Sequence, residues 1–476
     1  VSDEDTEDDL IAGHGVVVRA ANGDVIRYDP TGLVMRLSDR VIADIALRMG
    51  QQPGTPSAPT VSNFETIDPD ELLEGIDAWG VTREGDWLRF TARMPGAQGI
   101  RGFRRHIEGS ATLGDGPGAV LGLLTLGGPR SALATQGPPA YPHHVVGPED
   151  DIGAVGMAGI EAAPETDRLE PLRECTHEAL VAEVILDWQM EKVEPLPLIV
   201  ARAETDNSPS AADLATGRAV ENLTTAAKNL KSAAARMGKR AKLLAVCLDY
   251  ALEHVAGDAT AYRDGMLATM QRVEDALWSL GYDKPLFVAR FESGLDATTA
   301  AAVLEGQWEL AWNHGEHRLI HSAPSYMFAR DPFDRPTDDA RRQMAEMTAA
   351  AIAAGPDWRC PTLFLAERET GDRATIRVTA QGDGPLTLDG ESPAGFALTG
   401  DEAGATITGV EIAPDDAQAI LIRCDTPPEG ANLRLAYAAG TQGAIRDGWS
   451  MDSRTGITLH RWALPAILPV TEGRNA

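Results

Sequence analysis

Between residues 118 and 356 the sequence alternates near-continuous apolar runs with amphipathic helical stretches, and few folds accept that pattern. The runs are AVLGLLTL (Ala119–Leu126), LPLIVARA (Leu196–Ala203), LLAVCLDYAL (Leu243–Leu252), PLFVARF (Pro285–Phe291) and the run from Leu319 to Ala323. Helical spacing follows the second run at Leu214, Val220, Leu223, Ala227, Leu230 and Ala234, and the third at Tyr262, Met266, Met270, Val273, Leu277 and Leu280. A shorter set at Leu304, Trp308 and Ala311 precedes Leu319, and Ala340, Met344 and Met347 lie on a helix that starts near Thr337. Strands apolar on both faces belong to a parallel sheet covered on both sides. With right-handed crossovers, the expected fold class is α/β, a three-layer αβα parallel-sheet domain. Ligands of such sheets bind at the carboxyl ends of the strands. Those ends are the loops after Leu126, Ala203, Asp249 and Ala323.

The flanks read differently. Residues 14–117 are expected to be a strand-rich N-terminal domain. VVVRA and DVIRY flank Ala21-Asn22-Gly23, a hairpin signal, and WLRFTAR (Trp87–Arg93) alternates as a half-buried strand. Ser38 is placed to cap a short helix through Met49. Arg101, Arg104, Arg105 and His106 form a basic patch, expected to be a solvated face or a subunit contact. Residues 357–476 lose helical periodicity. Short runs such as TLFLAE, ATIRVTA, ATITGVEI and AQAILIRC between Gly, Asp and Pro turns predict an antiparallel β-sandwich. It closes on a polar, aromatic segment, Gly443–Trp462, read as a loop. Residues 1–13, acidic from Asp3 to Asp9, are expected to be a disordered leader and not a signal peptide.

Charge excludes some partners. The chain of 476 residues has a net charge of −29, which repels phosphate backbones and anionic lipid. Nucleic-acid binding is therefore not expected. No run reaches the roughly 20 apolar residues of a membrane helix. Cys175, Cys247, Cys360 and Cys424 are far apart with no CxxC pair, and are expected to be reduced core residues. No Gly-rich phosphate loop, HExxH or metal-spaced cluster occurs, so no cofactor and no metal is expected.

Acyl transfer needs a nucleophile, a base and oxyanion donors. Gly128-Pro129-Arg130-Ser131 follows the first strand, and Ser131 is placed as a nucleophile would be or, lacking a base, as a turn or cap residue. The loop before the last helix, Ala329–Thr337, holds Asp331 and Asp334 but no histidine. Those acids read as a solvated loop or, alternatively, a weak cation site. Glu204 and Asp206 follow the second strand, as an acid–base pair or with Asp206 or Ser208 as a helix cap.

At these loops the chain resembles the SGNH/GDSL hydrolases, in particular the sialate O-acetylesterase-like carbohydrate esterases. The likeness rests on LTLGGPRSALATQGPP, PLRECTHEALVAE, IVARAETDNSPSAADLATG, LLAVCLDYALEHVAGDATAYRDGM and HRLIHSAPSYMFARDPFDRPT. RDGWSMDSRTGITLHRWALP resembles the appended β-domain of phage-borne and proteobacterial members. The resemblance implies an SGNH-like fold with a degenerate catalytic set. Arg130 stands at the nucleophile position, Asp249 and Tyr250 stand where the oxyanion-hole glycine belongs, and Asp331 and Asp334 bracket the Asp-x-x-His position. A rescued enzyme would use Ser131 with His143, His144 or His254 as base.

These readings predict a non-catalytic structural or carbohydrate-binding component of a phage-like particle, a head spike or fibre of a phage or gene transfer agent. It would be made in the cytoplasm and contact capsular or surface polysaccharide. Other particle proteins are its expected partners, in a homo-oligomer or a larger assembly. Arg130, Asp206, Tyr250 and Asp331, or Trp449, His460 and Trp462 in the terminal segment, are the candidate ligand contacts. The alternatives are an active O-acetylesterase with a displaced catalytic set, and a scaffold with no ligand.

Overall fold

The computed structural model describes residues 72–473 apart from 110, 151, 157–160, 208, 209, 250–257, 295–300 and 334, together with three strands near the start. The acidic leader, the helix expected after Ser38, His254 and the candidate residues Tyr250 and Asp334 lie outside the described residues. The chain divides into two compact units, Val1–Asp68 and Pro69–Ala476. In the first, β1 (Gly15–Ala20), β2 (Gly23–Asp29) and β3 (Gly32–Met35) pair antiparallel, with Ala20 opposite Gly23 at the expected hairpin.

The second unit is a mixed α/β structure with several sheets. It opens with an antiparallel sheet of β4 (Ala78–Glu84), β5 (Trp87–Arg93), β6 (Ile100–His106) and β7 (Leu113–Gly114). The apolar runs then appear as β8 (Val120–Gly127), β13 (Ile199–Thr205), β14 (Ala241–Asp249), β15 (Leu286–Phe291) and β16 (Arg318–Pro324). The sequence reading missed β10 (Val145–Pro148), which is only four residues long, and β11 (Leu169–Pro171). Two short strands, β9 (Thr135–Gln136) and β12 (Glu174–Cys175), pair with each other. The order in the large sheet is β11-β10-β13-β8-β14-β15-β16, parallel except for β11. The chain starts at β8, builds to one side, then crosses back to build on the other. Loops after β8 and β14 therefore diverge, and a crevice opens at that switch point.

Successive residues of a strand point to opposite faces. Leu124, Leu126, Val200 and Val246 pack against α3 (Arg218–Arg236) and α4 (Ala259–Ser279), with α2 (Ala211–Thr216) on the same side. Leu123, Ile199 and Ala245 face α1 (His177–Glu191) and α6 (Asp338–Ala354), joined by residues of α5 (Ala301–Trp312). Helices thus cover both faces of the sheet. One helix expected through Leu214 and Ala234 is in fact two, broken at Gly217, whose ψ of 166° is extended. A Cβ on Gly217 would lie 2.5 Å from the Asp206 carboxylate, so the break leaves room for that side chain. The cap of α2 is neither Asp206 nor Ser208: Asp213 N donates to Ser210 Oγ at 3.2 Å.

The expected basic patch is also not a solvated face throughout. Arg104 and His106 are buried. Arg104 pairs with Asp115 and donates to Met237 O at 2.9 Å, and Trp87 Nε1 donates to Arg236 O at 3.1 Å, so the small sheet is fastened to the end of α3.

Beyond α6 lie β17 (Thr362–Glu369), β18 (Asp372–Gln381), β19 (Thr387–Leu388), β20 (Phe396–Thr399), β21 (Ile407–Ile412), β22 (Ala419–Cys424), β23 (Arg434–Tyr437), β24 (Ile445–Asp452), β25 (Thr458–Trp462) and β26 (Ala466–Glu472). They form a seven-stranded sheet, β20-β23-β26-β17-β18-β22-β21, and a three-stranded one, β19-β24-β25. Leu363, Ile376 and Ile422 of the larger share a core with Leu386, Ile445 and Ala463 on the side of the smaller. Contrary to expectation the pairing is not wholly antiparallel, since β17 runs parallel to β26. All four cysteines are buried and free. Among the described residues, no helix is long and apolar enough to cross a membrane.

Candidate functional site

A cavity of about 320 Å³ sits at the carboxyl ends of β8, β14, β15 and β16. β8 ends in Gly127, and a Cβ there would meet Asp249 O at 2.5 Å and Ser131 Oγ at 2.6 Å. Glycine therefore lets the following turn, Pro129–Ala132, fold in against β14, where Gly128 N donates to Asp249 O at 3.0 Å. The turn closes on itself. Ser131 N and Oγ both donate to Gly128 O, at 3.0 and 2.7 Å. Ser131 is 4% exposed and its hydroxyl proton is committed to a carbonyl, the arrangement of a turn rather than of an activated nucleophile.

Arg130 points from the same turn to Glu292, with Nη1 3.7 Å from Oε2. Asp249, the last residue of β14, accepts from Arg290 Nη2 at 2.9 Å on both carboxylate oxygens. Burial pushes the Asp249 carboxyl up, but the nearby Arg290 and Arg130 outweigh it and hold the group below the usual carboxylate range. Arg341, from α6, lines the opposite wall. Its Nη2 donates to Leu133 O at 2.9 Å and Cys175 O at 3.1 Å. That uses two of its five N–H groups. Among the described residues no carboxylate lies within ion-pair distance of it. Among the described residues five arginines (Arg130, Arg290, Arg330, Arg335, Arg341) line the cavity against two carboxylates, Asp249 and Glu292.

Among the described residues one histidine lines the cavity, and sequence reasoning passed over it. His177, the first residue of α1, places Nε2 3.1 Å from Thr348 Oγ1. Burial, reinforced by Arg290, pushes its pKa down to about 4. It is neutral at physiological pH and engaged with a threonine of α6, not with a serine of the cavity. His143 and His144 do not supply a base. They precede β10 at the other end of the sheet, where their Nδ1 atoms meet Thr112 O at 3.0 Å and Pro197 O at 3.2 Å.

The remaining candidates separate. Asp331 does not line the cavity. It accepts from Phe333 N at 2.8 Å and Arg335 N at 2.9 Å, which staples its own loop and depresses its pKa. Asp206 is nearly buried and turned toward Gly217. Glu204 is no partner for it in acid–base work, since its Oε1 binds Arg202 Nε at 3.0 Å inside the sheet layer. Trp449, His460 and Trp462 belong to the β24–β25 hairpin, where a loop was expected. Trp449 meets Trp358 edge-on at 4.7 Å, and His460 meets Trp462 at 6.1 Å. All three are half-buried and do not line the cavity. Missed by sequence reasoning were His177, Arg290, Glu292, Ser325 and Arg341. The carboxyl-end rule would have found Arg290 and Glu292, which flank the end of PLFVARF; the loop after that strand was left out. No group of three or more His, Cys, Asp or Glu that could hold a metal ion occurs among the described residues.

No protein-family model and no curated protein matches the chain. Among solved structures it is similar to a carbohydrate acetylesterase from Xanthomonas citri, at 12% identity and a TM-score of 0.48, over 80% of this chain and 95% of that one. It is also similar to an endo-β-1,4-mannanase from Thermotoga petrophila, at 10% identity and a TM-score of 0.19, over 63% of this chain and 71% of that one. The N-terminal part of the bacterial S-layer protein SbsC matches at 10% identity and a TM-score of 0.18, over 45% of this chain and 39% of that one. None of these likenesses is close enough to bring an activity with it.

The buried histidines make stability depend on pH. Burial pushes His144 and His177 down to about 4 and His321 down to about 3. Such groups are protonated in the unfolded chain below its pKa of about 6.5 and remain neutral in the folded one. Their contribution is whole above pH 6.5 and is lost as pH falls toward 3–4. His321→Leu is therefore expected to reduce the stability difference between pH 7 and pH 4.5 by about 2–3 kcal/mol, measured by urea unfolding.

Proposed function

We propose that this protein binds an acidic saccharide in the sheet-end cavity and does not cleave it. The observation that carries the reading is Arg341: a guanidinium on the cavity wall, with N–H groups to spare and no carboxylate in reach among the described residues. A chain with 71 acidic residues that lines one cavity with five arginines favours a carboxylate- or sulfate-bearing ligand there. Arg130 at the first turn and the tied hydroxyl of Ser131 support loss of hydrolysis. In this reading the α/β part is a three-layer SGNH-like sandwich whose catalytic set has gone, and a fold of that kind can be reused for recognition. The protein then serves as a spike or fibre of a phage-like particle, contacting cell-surface or capsular polysaccharide alongside other particle proteins. What supports the particle assignment is the resemblance of the terminal strands to phage-borne domains.

A second reading, an O-acetylesterase with a displaced catalytic set, has one observation behind it. Ser325 lines the cavity with its Oγ 2.8 Å from Ser293 Oγ and 3.5 Å from Glu292 Oε2. Glu292 also faces Arg130, whose Nη1 lies 3.7 Å from Oε2, so its carboxylate is engaged with a guanidinium as well as with the serine. Calorimetric titration with a uronate-rich and a neutral polysaccharide tests the proposal. Saturable binding of the acidic polymer, weakened by salt and absent for the neutral one, is expected. Equal binding of both, or of neither, overturns it.

A further inference from the structure

A second cavity, of about 440 Å³, lies at the opposite end of the sheet, by the amino ends of β15 and β16 and the start of β17. Its composition is one-sided. Trp312, His314, Arg318, His321, Trp358 and Arg359 line it, and among the described residues no carboxylate does, in a chain of net charge −29. Arg359 is exposed and has no ion pair among the described residues. The Arg318 side chain donates from Nη1 to Lys284 O at 3.4 Å. His317, which also lines the cavity, is engaged with Glu274, which accepts from its Nδ1 at 2.9 Å and faces Lys284 at 3.5 Å.

The walls also hold unsatisfied polar atoms. Trp312 Nε1 and His314 Nδ1 are both buried without a hydrogen-bond partner. Native interiors rarely leave such groups alone, and both residues line the cavity. Outward from Trp312 the aromatic surface continues. Phe364 meets Trp312 edge-on at 5.2 Å and is 39% exposed, an apolar ledge that covers no part of the core. Aromatic faces with a few placed cations are the makings of a site for a ring that carries an anion.

We infer that this cavity is a second ligand site, for a pyranose-sized ring bearing a carboxylate or sulfate. The oxyanion sits between Arg318 and Arg359, and the ring lies along Trp312. The inference does not rest on the reading of the sheet-end cavity, since it uses none of the same residues. Its size falls within the range of small-molecule pockets.

The test is a titration of the full-length protein with methyl glucuronide, glucose 6-sulfate and glucose, followed by heat and by tryptophan fluorescence. At least one of the two anions should saturate a site while glucose binds at least tenfold more weakly; a response to one anion alone names the group preferred. Trp312→Phe combined with Arg359→Ala should weaken that binding at least tenfold, and the site should still be seen in the Arg341→Met background, where the sheet-end cavity is disabled. Thermal melts of the variants exclude misfolding, and Arg359→Ala alone, at an exposed position, should still weaken binding severalfold. Absence of saturable anion binding, or binding indifferent to Trp312 and Arg359, overturns the inference. Loss of all anion binding in Arg341→Met does so too, by assigning the anion to the other cavity.

Discussion

Arg202→Met should cost about 3–5 kcal/mol of folding stability at pH 8, because it strands two buried carboxylates. Arg202 is 1% exposed. Its Nη2 and Nη1 bind Asp150 at 2.8 and 3.2 Å, its Nε binds Glu204 at 3.0 Å, and its Nη1 also reaches Gly153 O at 2.8 Å. Gly156 exists to give this cluster room, since a Cβ there would lie 2.0 Å from Glu204 Oε2. Burial already pushes Glu204 up to about 7, against the pull of Arg202. A carboxyl whose folded pKa is raised binds its proton more readily when folded, so its effect on stability turns unfavourable as pH rises from 4.5 to 7. Without Arg202 that window extends upward. The loss should therefore be clearly smaller at pH 5.5, where Glu204 is neutral, than at pH 8. Urea unfolding at both values checks it, and a loss below 1 kcal/mol, or one equal at both, would contradict the assignment.

Arg341→Met is the second large effect, and it falls on binding. A hydrogen bond from a guanidinium to an anion contributes about 1.5–3 kcal/mol, so affinity for an acidic saccharide in the sheet-end cavity should fall about ten- to a hundredfold. Stability should also drop, because Arg341 ties Leu133 and Cys175 to α6. The two effects separate in Arg341→Lys, which keeps the charge and should retain part of the affinity while losing the paired carbonyl contacts. Calorimetry on both variants reads the first effect, and urea unfolding reads the second. Unchanged affinity in Arg341→Met would remove this residue from the site.

How much of this was legible beforehand follows from range. The strands β8, β13, β14, β15 and β16 announce themselves because a parallel strand buried on both faces must be apolar throughout. VVGP at β10 is too short, and too interrupted by Gly147 and Pro148, to do so. The β24–β25 hairpin looked like a loop because its outward positions are polar and its turn holds Arg454 and Gly456. The break at Gly217 is set by Asp206, eleven residues away, and is invisible to helical periodicity. At the cavity, Arg130, Ser131 and Asp249 could be found because each closes a strand whose end was already known. His177, Arg290 and Arg341 meet only through the tertiary fold, from α1, β15 and α6. The opposite error has the same origin. Asp331 looked like a site residue because the resemblance to SGNH hydrolases puts a catalytic position in its loop, yet its carboxylate accepts from Phe333 N and Arg335 N and does not line the cavity.

The central claim is that the cavity holds a molecule without attacking it. Incubating the protein with a fluorophosphonate probe and with an activated acetyl ester, followed by mass mapping of the peptides, addresses it most directly. No adduct at Ser131 or Ser325 and no ester turnover above buffer is the expected result; a stoichiometric adduct on either serine, with turnover that the probe abolishes, would contradict it.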